Sequence, residues 1–192
     1  EAKYKIIEPF VGKGDLLSWI ETQNFQCTEF YDIDPKVKHT IKQDTLRNPP
    51  SYNDKYIITN PPYLARNKNP QKELYDLFEC NDLYKCFLKT VIKSNCFGGI
   101  LILPVNFWCS IRKMDIDLRE SFLKTFFVKK INIFEDKVFN DTNYNICCFQ
   151  FEKRNNKNFK ILFEFLPSKK QIHIDMNENN KFSIGGELLN LK

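Results

Sequence analysis

The residues best equipped for chemistry are Asn60-Pro61-Pro62-Tyr63, which follow an apolar, strand-like run, Lys55-Tyr-Ile-Ile-Thr59. Two consecutive prolines fix φ twice and bias the residue before each toward extended backbone, so the segment is stiff. It holds an amide and an aromatic ring in set positions at a strand terminus. The Asn60 side-chain oxygen and the neighbouring backbone carbonyls can accept hydrogens from an amino group, and Tyr63 can stack on a planar ring. That equipment suits an exocyclic amine on a flat heterocycle, adenine N6 for example. A plain turn or linker can also read Asn-Pro-Pro, and the upstream residues separate the two.

Upstream, Tyr4-Lys-Ile-Ile-Glu8 reads as a short buried strand running into Pro9-Phe10-Val11-Gly12-Lys13-Gly14-Asp15-Leu16. This is a strand, a tight Gly-x-Gly turn and a helix start, with Asp15 as N-cap or first-turn acid. Glycines there let a ligand approach the backbone and leave amides exposed at a positive helix end. The dinucleotide fingerprint would need a third glycine and a P-loop would need Gly-Lys-Ser/Thr. A second strand, residues 25–31, ends in Asp32-Ile33-Asp34-Pro35, about 20 residues beyond the glycines, where an acid can accept both hydroxyls of a ribose. One of Asp32 and Asp34 is expected only to cap a helix before Pro35. Asp44, after a third short strand, is placed to meet the amino group of the same nucleoside, or is an exposed loop acid.

Taken together these residues resemble the class I S-adenosylmethionine (AdoMet) methyltransferases, and among them the gamma-class N6-adenine DNA methyltransferases. The matching segments are Glu8-Pro-Phe-Val-Gly12-Lys-Gly14-Asp15-Leu, Asp32-Ile-Asp-Pro35, Gln43-Asp44-Thr-Leu and Asn60-Pro-Pro-Tyr63. Cofactor loop first and Asn-Pro-Pro-Tyr second is the order of that class. The match continues in Asp82-Leu-Tyr84-Lys-Cys-Phe87, in Gly98-Gly-Ile-Leu-Ile-Leu-Pro104 with Asn106-Phe-Trp108, in Arg119 on an amphipathic helix, and in Phe134-Glu-Asp-Lys-Val-Phe139 to about Lys153.

The resemblance implies AdoMet as cofactor, with Glu8, Pro9, Phe10, Gly12 and Gly14 lining its methionine and ribose side. Asp32 would hold the ribose hydroxyls, Ile33 would pack on adenine, and Asp44 would meet its amino group. Phe87 would join the adenine pocket, although its helical spacing fits core equally well. Asn60, Pro61, Pro62 and Tyr63 would form the catalytic motif, receiving an adenine flipped out of double-stranded DNA. Tyr63 and Phe139 would stack on that base, with core packing the other reading of Phe139. A rim of Arg66, Lys68 and Lys72 would contact phosphates or simply be solvated.

The 192 residues fit one ordinary domain with a small appendage, and 42% hydrophobic residues, including 18 Phe, can build a sizeable core. A formal charge of +5 favours polyanions. No apolar run reaches the length of a membrane span and no signal peptide opens the chain, which points to the cytoplasm. Seven cysteines without a Cys-x-x-Cys, and only two histidines, argue against a zinc site or a disulfide framework. Reduced, mostly buried thiols are expected, with no metal.

Strands are expected near residues 4–8, 26–31, 55–59, 99–104, 130–135 and 144–152, and helices beginning near Asp15 and Pro35 and occupying about 74–95 and 111–126. The alternation predicts a doubly wound, mostly parallel α/β sheet of Rossmann-like type, with a C-terminal antiparallel hairpin at one edge. In such a sheet Gly12, Gly14, Asp32, Asp44 and Asn60 all lie beyond the strand C-terminal ends, where ligands bind.

Past the polar run 154–158 two further strand-like segments follow, 159–165 and 171–175. Residues 1–154 are therefore assigned to a catalytic domain and 155–192 to the start of a truncated or minimal target-recognition region. A missing C-terminal domain or a partner subunit, as in restriction-modification systems, would complete target recognition. Protein glutamine N5-methyltransferases also use Asn-Pro-Pro-Tyr, but with a different first motif and a helical front domain. A non-catalytic cofactor- or DNA-binding subunit is the third reading.

Overall fold

Three short apolar runs, each followed by a turn residue and a polar tip, line up side by side in parallel. The structure is a computed structural model and describes residues 5–23, 25, 28–140 and 144–186; Tyr4, Gln26 and Cys27, which were expected in strands, lie outside them. The chain divides into two compact units, Glu1–Leu101 and Ile102–Lys192.

In the first unit β1 (Ile6–Glu8), β2 (Thr28–Asp32), β3 (Ile41–Lys42), β4 (Tyr56–Thr59) and residues 98–101 of β5 (Gly98–Pro104) pair in the order β3-β2-β1-β4-β5, every pair parallel. All three residues of β1 are buried, as a central strand covered on both faces requires. Ile6 and Ile58 pack with Leu17 and Ile20 of helix α1 (Asp15–Thr22). Burying each such aliphatic side chain contributes about 1.5–3 kcal/mol. Ile7 and Ile57 point to the opposite face by strand alternation and are fully buried there. β4 and β5 run so close that a Cβ on Gly99 would overlap the Ile57 carbonyl oxygen.

Two expectations for this unit are corrected. No helix follows Pro35: residues 37–40 make a turn with His39 at φ 68°, and β3 begins at Ile41, leaving too few residues for two helical turns. The helix expected over 74–95 is two, α2 (Glu73–Phe78) and α3 (Leu83–Lys93). Glu79 takes a left-handed conformation (φ 49°) and Asp82 an extended one at the start of α3, so the chain turns between them. Leu77, expected on the apolar face, is consequently 76% exposed.

The second unit is the antiparallel hairpin of β6 (Phe126–Phe134) and β7 (Ile146–Lys153), extended by β8 (Lys160–Leu166) and β9 (Gln171–Asp175). The expected hairpin is present, but not at an edge. β6 takes β8 in parallel on its other side, and β9 closes that flank antiparallel to β8. β8 and β9, both past residue 155, thus belong to the same unit as β6. The fold is mixed α/β and mostly parallel. Short α4 (Asn106–Cys109) and α5 (Lys113–Thr125) precede β6, and the core gathers Trp108, Phe122, Phe149 and Phe163 edge to face. Arg119 of α5 is fully buried. Its guanidinium donates to the carbonyls of Phe107, Ser110, Lys181 and Phe182 and to the Ser183 hydroxyl. Among the described residues no helix is long and apolar enough to cross a membrane.

Candidate active site

The glycine turn is shaped by one carboxylate. Gly12 and Gly14 sit at φ 56° and 89°, conformations that favour glycine, and the Gly14 amide closes the turn on the Val11 carbonyl at 2.9 Å. Gly14 also opens α1 without a side-chain cap, which leaves Asp15 as the first-turn acid. A Cβ on Gly14 would come within 2.8 Å of Val37, whereas one on Gly12 would meet nothing within 4 Å. Gly12 therefore borders open space. Asp32, at the end of β2, accepts the Gly12 amide at 2.7 Å on one oxygen and the Asp34 amide at 2.8 Å on the other.

Glu8 ends β1 almost fully buried. One of its oxygens accepts both the Phe10 amide, at 2.9 Å, and the Thr59 hydroxyl, while the other is buried without a partner among the described residues. Burial pushes its carboxyl up to about 8; the Thr59 and Phe10 hydrogen bonds pull it back, and the nearby Asp32 charge adds to the rise. Glu8 is thus mainly neutral at pH 7. Through Thr59 it also joins the glycine turn to the strand that ends at Asn60. Phe10 meets the edge of Phe87, with centroids 5.1 Å apart, and Phe87 in turn meets Tyr52.

After β3, Asp44 caps its own turn. It accepts the amides of Leu46 and Arg47 at 3.2 and 3.1 Å on one oxygen and pairs with Arg47 Nε at 3.2 Å on the other. Buried Thr45 bonds the Pro9 carbonyl at 2.9 Å, tying this turn to the glycine turn. Arg47 reaches Gln71 at 3.2 Å.

From β4 the backbone passes through Asn60, Pro61 and Pro62 to Tyr63, whose hydroxyl donates to Asn60 Oδ1. The Tyr63 ring meets Tyr84 of α3 edge to face at 6.0 Å. Beyond it, both backbone groups of Leu64 are held: Asp82 Oδ1 accepts its amide at 3.1 Å, and its carbonyl accepts Tyr75 Oη at 2.9 Å and the Leu83 amide at 3.3 Å.

These turns enclose a cleft of about 410 Å³ at the C-terminal ends of the parallel strands. Of the residues singled out in the sequence, Phe10, Gly12, Asp32, Ile33, Asp44, Asn60 and Pro62 line it. Tyr63 and Phe87 are not among the lining residues but contact two that are, Asn60 and Phe10. Glu8 and Pro9 support the lining through Phe10 and Thr45, and Gly14 sits at the head of α1. Phe139 belongs to the second unit, half-buried beyond the end of β6. Arg66 of the expected phosphate rim is instead paired with Asp76 at 2.8 Å. Arg47, Asn69 and Gln71 line the cleft without a local signal; Arg47 reaches Gln71 across it, and Asn69 is held by the Tyr75 hydroxyl and the Gln71 amide.

The architecture has relatives among solved structures. A protein assigned to the class I S-adenosylmethionine-dependent methyltransferases of Listeria monocytogenes superposes with a TM-score of 0.66 over 88% of this chain and 62% of its own, at 17% identity. The fold is that of the class I methyltransferases. The modification subunit assigned to a type I restriction enzyme of Vibrio vulnificus matches with a TM-score of 0.65 at 13% identity, over 97% of this chain and 48% of that one. A protein in a DrdV–DNA complex matches with a TM-score of 0.64 at 16% identity, over 95% of this chain and 28% of that one. The chain thus spans about half the length of the modification subunit it matches. No family model and no curated protein matches the sequence. In this class I methyltransferase fold the cleft lies beyond the strand C-terminal ends, where open parallel sheets bind ligands.

Proposed function

We propose that the chain carries the catalytic centre of a DNA adenine-N6 methyltransferase that uses S-adenosylmethionine. The observation that carries this reading is that Asn60 and Pro62 share one cleft with Gly12 and Asp32. An amine-accepting motif and a nucleoside-binding turn therefore face the same space.

The residues fit the cofactor. Gly12 borders open space, Asp32 stands at the end of β2 beside it, and Phe10 and Ile33 offer apolar surface. Glu8 holds a buried oxygen without a partner close to the turn, suited to a cationic group. When bound, AdoMet supplies an electrophilic methyl group on a sulfonium. Asp32 would hold ribose hydroxyls, Ile33 would cover adenine, and Asp44 would present to the adenine amine the oxygen it now shares with Arg47.

Adenine N6 is a weak nucleophile because its lone pair is delocalised into the ring. Asn60 Oδ1 and the Pro61 carbonyl would accept its two hydrogens and favour pyramidal nitrogen, freeing the lone pair for in-line attack. The excess proton on N6 then leaves to water. Catalysis here is positioning and hydrogen bonding, with no strong base required. Tyr63 would stack on the extruded base. Choice of target sequence falls to the region beginning at residue 155, to further domains, or to a partner subunit.

The test is transfer of tritiated methyl from AdoMet to unmethylated duplex DNA, with Asn60→Ala beside it. Label in N6-methyladenine that the variant abolishes supports the proposal. The absence of both label in DNA and AdoMet binding by calorimetry would overturn it.

A further inference from the structure

The Asn-Pro-Pro-Tyr arm is stiffened on one side by its prolines, and on the other by a short antiparallel patch. Ala65 bridges Asp82, and the Arg66 amide donates to the Asn81 carbonyl at 2.9 Å. With the two bonds to Leu64, residues 64–66 are locked onto residues 81–83. The clamp is mostly backbone. Its ionisable member is Asp82, only 6% exposed, whose carboxylate takes the Leu64 amide directly after Tyr63.

Asp82 also begins α3, which carries Tyr84 against the Tyr63 ring and Phe87 against Phe10. One helix therefore backs both the catalytic arm and the glycine turn, and the Asp82–Leu64 bond sets how the arm lies on it. A carboxylate holds a backbone amide about twice as strongly as a neutral acceptor does.

We propose that Asp82 is a positioning residue for Tyr63: its charged carboxylate, by gripping the Leu64 amide, fixes the angle at which the Tyr63 ring and Asn60 face an extruded base. The kinetic consequence rests on the methyltransferase reading; the conformational one does not. Burial raises the Asp82 carboxyl to about 6, opposed by the Lys85 ammonium and by the amides of Leu64, Tyr84 and Leu83, so the same carboxyl holds both the arm and the first turn of α3. The ionisable groups that interact with it are Lys85 and Cys86 on α3 and Tyr75 on α2. Below about pH 6 the grip weakens, because the protonated acid is a neutral acceptor.

The experiment uses protein labelled with 3-fluorotyrosine, with the Tyr63 resonance assigned through Tyr63→Phe. In the unmutated protein this resonance is expected to shift between pH 5 and 7.5 with a midpoint near 6. In Asp82→Asn, which keeps the shape and a neutral acceptor, it should stay at the low-pH position throughout. Methyl transfer to DNA should follow. The kcat falls roughly 5-fold in the unmutated enzyme on acidification and is about 5-fold low and flat in Asp82→Asn, while the AdoMet dissociation constant stays within 2-fold. A Tyr63 resonance that is the same in both proteins across this range overturns the proposal. So does an Asp82→Asn enzyme that retains the acid limb of kcat. If the unmutated protein methylates no DNA, the proposed function fails, and the fluorine signal still decides the role of Asp82.

Discussion

The hydroxyl of Tyr63 donates to the side-chain oxygen of Asn60, the atom proposed to receive the target amine. An amide oxygen has two lone pairs, so this bond does not block the site; it orients it. Tyr63→Phe removes this restraint and keeps the ring. A net hydrogen bond contributes about 0.5–1.5 kcal/mol, so kcat is expected to fall about 2- to 10-fold. Tyr63→Ala also removes stacking, worth about 1–3 kcal/mol, and should be visibly worse. Single-turnover transfer of tritiated methyl to DNA checks both.

Glu8 predicts a proton count. Its carboxyl, raised to about 8 by burial, is mainly protonated at pH 7. A cationic ligand group beside the free oxygen favours the ionised form, so binding should expel close to one proton at pH 7. The sign follows from the raised value: AdoMet affinity should rise with pH up to about 8 and level off above it. Calorimetry in two buffers of different ionisation enthalpy measures the count. Glu8→Gln should release none.

The two turn glycines should fail differently. At Gly14 a methyl would come within 2.8 Å of Val37 at a left-handed φ, so Gly14→Ala should lower the stability of the first unit. A cost of about 1–3 kcal/mol is expected from strain of this kind. At Gly12 the methyl would enter the cleft instead, so Gly12→Ala should weaken AdoMet binding more than it lowers the melting temperature. Urea titration beside calorimetry separates the two losses.

Arg119 is expected to be the most sensitive polar position of the second unit. Arg119→Met removes the guanidinium from four carbonyls and a hydroxyl in a buried site, and the Ser183 hydroxyl remains as a donor only to the Ser110 and Lys181 carbonyls. The expected loss is about 3 kcal/mol or more in chemical denaturation. Arg119→Lys should not rescue it, because an ammonium has three donors and no planar fork.

The strands and the glycine turn were legible because their signals are local. Ile6-Ile7, Ile57-Ile58 and residues 100–103 are apolar runs, and Gly12, Pro61 and Gly98 punctuate them. What misled was local too: Leu77, Phe78 and Leu83 keep helical spacing straight through a break made at Glu79 and Asp82. The pairing of β6 with β8 could not be read, since a parallel partner is chosen by burial across the sheet rather than by a turn. The same holds for Arg47 and Gln71, which meet only because two turns fold over one cleft. Arg119 was marked by its place in an amphipathic helix, but the five acceptors that hold it come from distant parts of the chain.

Gly99 lies opposite Ile57, on strands too tightly spaced for any side chain between them. The strand that Ile57 belongs to ends two residues later, at the threshold of Asn60. A single methyl group there would act as a wedge, lifting the Asn-Pro-Pro-Tyr arm while touching no ligand. Genetic screens for lost activity should therefore recover this position alongside the motif itself, and heat should make the lesion worse.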